Sequence, residues 1–179
     1  MTPIFTRRNF TKTALLGAMA PTVLSASLTN DQSKDRPLRI GLVGAGARGL
    51  GALRDIFTID QNVELWAIGD IFPDHLKRAK RVLQRRYRKQ TRNAFERAYL
   101  GFNAYQQVID SGVDIVFLCT PPVFRPLHLS YAVKQSKHIF AEKPLAIDPQ
   151  GLQAVEQAAE EAKKKKPVAP VERDKLVNH

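Results

Sequence analysis

Between residues 38 and 163, short apolar runs alternate with stretches where apolar residues recur every three or four positions. Ile40, Leu42 and Val43 form the first run, with Pro37 before it and glycines after it, which predicts a buried strand over about 38–44. Leu50, Leu53, Ile56 and Phe57 follow at helical spacing and predict a helix near 47–57. A second strand is expected over 62–69. The next helix opens at Pro73 or Asp74, carries the stripe Leu76, Ala79, Val82 and Leu83, and fades before Asn93. Tyr99 to Phe102 reads as a short strand, and Ala104 to Ile109 as a short helix closed by Ser111-Gly112. Val113 to Cys119 is almost continuously apolar and reads as a fourth strand. Pro126 then opens a helix with Leu127, Tyr131 and Val133 facing inward. His138 to Ala141 is a fifth strand, and a last helix covers about Pro149 to Lys163. Strands alternating with helices predict an α/β fold with a parallel sheet covered on both faces. There are no internal repeats.

The first strand ends in chemistry. Gly44, Gly46 and Gly49 spell G-x-G-x-x-G between a strand and a helix. In that setting Gly44 permits the sharp turn, Gly46 lets the backbone approach a pyrophosphate, and Gly49 lets the helix pack close to the strand. Free N–H groups and the positive end of the helix dipole favour phosphate there. Asp70 closes the second strand 21 residues past Gly49, near the offset of a carboxylate that holds a ribose. In open parallel sheets, ligands gather outside the carboxyl ends of the strands. Gly44–Gly49, Asp70, Thr120–Pro122 and Glu142–Pro144 each fall at such an end. Four segments therefore converge on one rim, and a dinucleotide site outweighs a purely structural glycine turn.

Composition narrows the alternatives. The chain has 179 residues, 44% of them hydrophobic and 25% charged, enough for one domain with a real core. One cysteine, Cys119, excludes an internal disulfide framework, and its apolar setting suits a buried structural thiol. His75, His128, His138 and His179 show no metal-ligand spacing, so no metal is expected. The net charge of +11 is concentrated in Lys77 to Arg97. Such a run could meet polyanions, but it suits the solvated face of a helix better, and nucleic acid is not an expected partner.

The first 27 residues are set apart. Arg7-Arg8, Phe10 and Lys12 precede a mildly apolar stretch, Ala14 to Leu24, and small residues Ser25, Ala26 and Ser27. This resembles a twin-arginine export signal, which implies the twin-arginine export machinery as a partner and a periplasmic or extracytoplasmic address. The apolar stretch is too short and interrupted for a stable membrane span. Residues 28–37 read as a linker and residues 38–163 as the folded domain. Residues 164–179, with Pro167 and Pro170 where a sixth strand would fall, read as a disordered or atypical tail.

Residues 38–163 resemble the N-terminal half of the glucose–fructose oxidoreductase / inositol dehydrogenase (Gfo/Idh/MocA) family. The matching residues are the Gly44-Ala45-Gly46 turn, Asp70, Asp114-Ile115-Val116 leading to Thr120-Pro121, and Lys137-His138-Ile139 leading to Glu142-Lys143-Pro144. The resemblance implies a Rossmann-type doubly wound parallel sheet with helices on both faces, a single domain truncated before the family's C-terminal α+β domain. It implies NAD as cofactor, with NADP kept open by Lys77, Arg78 and Arg81, and chemistry on a sugar or cyclitol hydroxyl. Gly44, Gly46 and Gly49, with the backbone N–H groups of Ala47 and Arg48, would hold the pyrophosphate. Asp70 would accept from the adenosine ribose, and Thr120 and Pro121 would line the middle of the cofactor. Lys143 would be the reactive-site lysine beside the nicotinamide, with Glu142 orienting it or touching the ribose, and Pro144 would fix the turn. Two positions depart from the family pattern. Arg125 stands where a histidine is usual, with His128 three residues on, and Ser136 replaces a usual glycine.

These expectations leave three functions. The chain is the cofactor domain of an exported oxidoreductase, a nucleotide-binding fragment without turnover, or part of an NAD-dependent glycosidase of the same superfamily, from which the E-K-P lysine points away.

Overall fold

The computed structural model describes residues 36–165. The expected export signal, nearly all of the linker and residues 166–179 of the expected tail lie outside them. The elements are β1 (Leu38–Val43), α1 (Ala47–Ile59), β2 (Val63–Asp70), α2 (Pro73–Arg86), β3 (Ala98–Leu100), α3 (Ala104–Asp110), β4 (Ile115–Leu118), α4 (Arg125–Lys134), β5 (His138–Ala141) and α5 (Pro149–Lys164). The strands form one parallel sheet in the order β3-β2-β1-β4-β5. The order reverses between β1 and β4, which is where a doubly wound sheet opens a crevice at its carboxyl edge.

Side chains alternate along β1 and divide the core in two. Ile40 and Leu42 join Leu53, Phe57, Leu65 and Leu83 under α1 and α2. Val43 joins Val108, Ile109, Val116, Leu118 and Ala132 under α3 and α4. In β2 the register slips by one residue at Trp66, so Leu65 serves the first core and Ala67 the second. The displaced Trp66 ring is clasped by Arg39 and Arg97, each guanidinium carbon 3.6 Å from the ring centroid, and its indole N–H donates to the Ser111 carbonyl at 2.6 Å.

Two expectations need correcting, those for Val82 and Leu127. The helix after β2 ends before Asn93 as expected, at Arg86, where Tyr87 leaves helical geometry and packs its ring 5.2 Å from Phe57. A short 3-10 helix, Ala94–Arg97, then leads into β3. Val82 is exposed, because Ala79 and Leu83 already fill the space beneath α2. Leu127 is also exposed (58%), because the first turn of α4 stands at the rim of a cleft; Arg125 and His128 are the buried residues there.

Candidate active site

The glycine turn is shaped by crowding from β4. Gly44 has φ +96°, and a Cβ on it would lie 2.7 Å from the Cys119 carbonyl carbon and 2.8 Å from the Thr120 nitrogen. Only glycine fits such a turn. Gly49 is packed as tightly: a Cβ would stand 2.1 Å from the Gly44 carbonyl oxygen, so this residue seats α1 on the strand and lies outside the cleft. Gly46 is the opposite case: apart from its chain neighbours, no atom lies within 4 Å of its Cβ position. It is the N-cap of α1 and offers no side chain to the helix's first N–H groups. Those of Ala47 and Arg48 stand beside the open space, a cradle suited to a phosphate.

Asp70, at the end of β2, is buried and lines the same cleft. Its Oδ2 accepts from the Ala45 N–H at 2.7 Å and lies 3.1 Å from His75 Nδ1, while Oδ1 accepts from the Phe72 N–H at 2.9 Å. Three of roughly four acceptor positions on the carboxylate are thus used, and one is left for a ligand hydroxyl. Among the residues of α2, His75 lines the cleft; Lys77, Arg78 and Arg81, expected as bases toward a 2′-phosphate, do not.

The strand ends are stitched together. Cys119 N–H donates to the Val43 carbonyl at 2.8 Å, and Glu142 N–H to the Leu118 carbonyl at 3.1 Å. This stagger brings Thr120, Pro121, Glu142 and Lys143 to the cleft wall opposite Asp70. Lys143 is exposed, and its peptide bond to Pro144 is cis, as a fixed turn after β5 allows. Glu142 Oε1 lies 2.5 Å from Arg48 Nη2, an ion pair by distance although not aligned as a hydrogen bond. The guanidinium beside it holds the Glu142 carboxyl below the usual carboxylate range. Cys119 reaches the cleft instead of being closed in the core. Burial, reinforced by the Glu142 charge, pushes its thiol up to about 11, so it stays protonated at neutral pH and is no nucleophile.

Two residues outside the expected site complete this wall. Arg125 is 3% exposed and donates from Nη1 to the Pro144 carbonyl and from Nη2 to the Thr120 carbonyl. His128 Nδ1 lies 3.2 Å from Thr120 Oγ1, and its ring stacks on Tyr105 with centroids 4.3 Å apart. Burial, helped by the Arg125 charge, pushes His128 down to about 4, so the ring is neutral and can accept from the threonine hydroxyl. The Pro126 helix signal placed His128 in the first turn with Arg125 just before it, yet nothing in the pattern marked Arg125 as buried.

Together these segments line a cleft of about 850 Å³ along the carboxyl edge of the sheet. Unpaired N–H groups over open space, a carboxylate with a spare acceptor and a lysine on the far wall fit the phosphate, ribose and reacting end of a nicotinamide dinucleotide. Among the described residues, no group of three His, Cys, Asp or Glu side chains is placed to hold a metal ion. No helix among them is long and apolar enough to cross a membrane.

Comparison with known proteins agrees with this geometry. The oxidoreductase family with an NAD-binding Rossmann fold matches residues 38–169. A myo-inositol 2-dehydrogenase of Thermotoga maritima is 30% identical over 127 residues, covering 71% of this chain and 33% of that protein. A glycosyl hydrolase family 109 protein of Phocaeicola vulgatus is 26% identical over 111 residues, 62% of this chain and 25% of its own length. Scyllo-inositol dehydrogenase from Lactobacillus casei, solved with bound NAD(H) and scyllo-inositol, shares the fold with a TM-score of 0.58 and 23% identity, over 73% of this chain and 35% of that one. The chain spans about a third or less of the length of these relatives. It is an α/β domain of Rossmann type, and it belongs to the Gfo/Idh/MocA oxidoreductase family.

Proposed function

We propose that the cleft holds NAD(H) in extended form and serves an oxidoreductase acting on a hydroxyl of a sugar or cyclitol. The convergence of Gly46, Asp70 and Lys143 on one cleft carries this reading. Asp70 and the glycine turn would take the adenosine and pyrophosphate, and the β4 and β5 ends the nicotinamide half. A carboxylate at Asp70 repels a 2′-phosphate and favours NAD over NADP. When bound, NAD supplies the hydride acceptor. Lys143 would hydrogen-bond the reacting oxygen and stabilise the negative charge that develops on it. Glu142, held ionised by Arg48, would orient that ammonium or a ribose hydroxyl. The paired arginines near the N-terminus support passage through the twin-arginine route to the periplasm.

Fluorescence titration with NADH and NADPH, followed by NAD reduction assays on a panel of cyclitols and sugars, tests the proposal. Saturable NADH binding with weaker NADPH binding is expected, and any turnover should disappear in Lys143→Met. Binding without turnover supports the second reading, a nucleotide-binding module. Release of nitrophenol from nitrophenyl glycosides supports the third, a glycosidase, which the similarity to family 109 proteins keeps in view. No NADH saturation at millimolar concentration overturns all three.

A further inference from the structure

The sheet order assigns the two ends of the cleft. A ligand with its phosphates at the β1–α1 turn and its ribose on Asp70 has its adenine half over β2 and β3. Its other half must then cross β4 toward β5, where two separate loops form the wall. The β4 loop offers Thr120 and Pro121, and the β5 loop offers Glu142 and Lys143. Each ends a strand of only four residues, and β5 lies at the sheet edge.

Arg125 joins these loops. Its guanidinium donates to a carbonyl in each, Thr120 on one side and Pro144 on the other. Pro144 follows Lys143 directly, so the contact pins the turn that carries the lysine. The charge is buried without a carboxylate hydrogen bond, and Nε has no hydrogen-bond partner among the described residues. A buried cation held by main-chain carbonyls is costly unless the arrangement it enforces is needed. Arginine suits the task because its planar fork reaches two acceptors in fixed directions, which a lysine cannot do. It also borders the cleft itself.

We infer that Arg125 is a positioning residue that locks the Thr120 and Lys143 loops together and thereby builds the nicotinamide half of the site, leaving the adenine half untouched. The inference rests on the dinucleotide reading above. It is separable from it, because ADP probes the adenosine and pyrophosphate positions alone.

The test compares NADH and ADP affinities of the full chain with those of Arg125→Met and Arg125→Lys. Loss of one charged hydrogen-bonded clamp should weaken NADH by about tenfold. ADP should change by less than about twofold, within the scatter of distant substitutions. Arg125→Lys keeps the charge and can reach one carbonyl, so it should fall between; if Arg125→Met does not fold, the lysine variant carries the same comparison. Equal losses for ADP and NADH would mean a merely structural role and overturn the inference, as would unchanged binding of both. A wild-type chain that binds neither probe overturns the dinucleotide reading and this inference with it.

Discussion

The main-chain N–H of Ala45 donates to Asp70 Oδ2 at 2.7 Å, so the carboxylate that faces the cleft also holds the glycine turn. The side chain proposed to hold the adenosine ribose therefore also supports the local fold. Asp70→Asn keeps the shape and removes the charge from three contacts, those with Ala45, Phe72 and His75. A loss of about 1–2 kcal/mol is expected in thermal or urea unfolding, since hydrogen bonds to a charged group are the stronger kind. NADH binding should weaken and the preference over NADPH should shrink. Unchanged stability would show that the carboxylate does not hold the turn.

Two neighbouring glycines should respond in opposite ways. Gly44→Ala forces a side chain into a positive φ and against the Cys119–Thr120 backbone, at a cost of about 3 kcal/mol or more. Gly46→Ala places its methyl group in open space and should change stability by no more than about 1 kcal/mol. On the proposed reading that methyl group stands where the pyrophosphate would approach, so NADH binding should fall on the order of tenfold, a loss of about 1.4 kcal/mol. Melting curves and NADH titrations of both variants check the contrast.

His128 makes stability sensitive to mild acid. Its folded value is about 4 against an ordinary 6.5, so between these values the unfolded chain binds a proton that the folded chain refuses. The stabilisation is complete above pH 6.5 and is lost as pH falls toward 4. From pH 7 to pH 5 the loss should be about 2 kcal/mol. Asp114, drawn upward by burial but held below its usual range overall by hydrogen bonds from Arg36 and the Arg39 N–H, acts in the same direction at lower pH. Urea unfolding at pH 7 and pH 5 measures the effect, and His128→Gln should flatten it.

Ser136 occupies a position built for glycine. It has φ 54°, in the turn where its own N–H donates to the Val133 carbonyl and the Lys137 N–H to the Ala132 carbonyl. A side chain in the left-handed region costs about 1 kcal/mol, so Ser136→Gly should raise the melting temperature by a few degrees. A lower melting temperature would contradict the strain.

The strands and the rim were legible because their signals are local: apolar runs closed by glycine or proline, and helical stripes behind them. The candidate residues Gly44, Gly46, Ala47, Arg48, Asp70, Thr120, Pro121, Glu142 and Lys143 all line the one cleft, and Gly49 seats the helix behind it. What pattern alone could not show depends on packing at a distance. The Trp66 slip needs Arg39 and Arg97 on either side of the ring. Leu127, expected inward, is exposed while Arg125 is buried, because two main-chain carbonyls at the strand ends attract a guanidinium inward while the cleft leaves the leucine uncovered.

A crystal structure of the chain grown with NADH tests the central claim most directly. The account predicts the pyrophosphate on the N–H groups of Ala47 and Arg48, the adenosine ribose on Asp70 and the nicotinamide beside Lys143. A cofactor lying elsewhere on the sheet, or running with its nicotinamide toward Asp70, would contradict it.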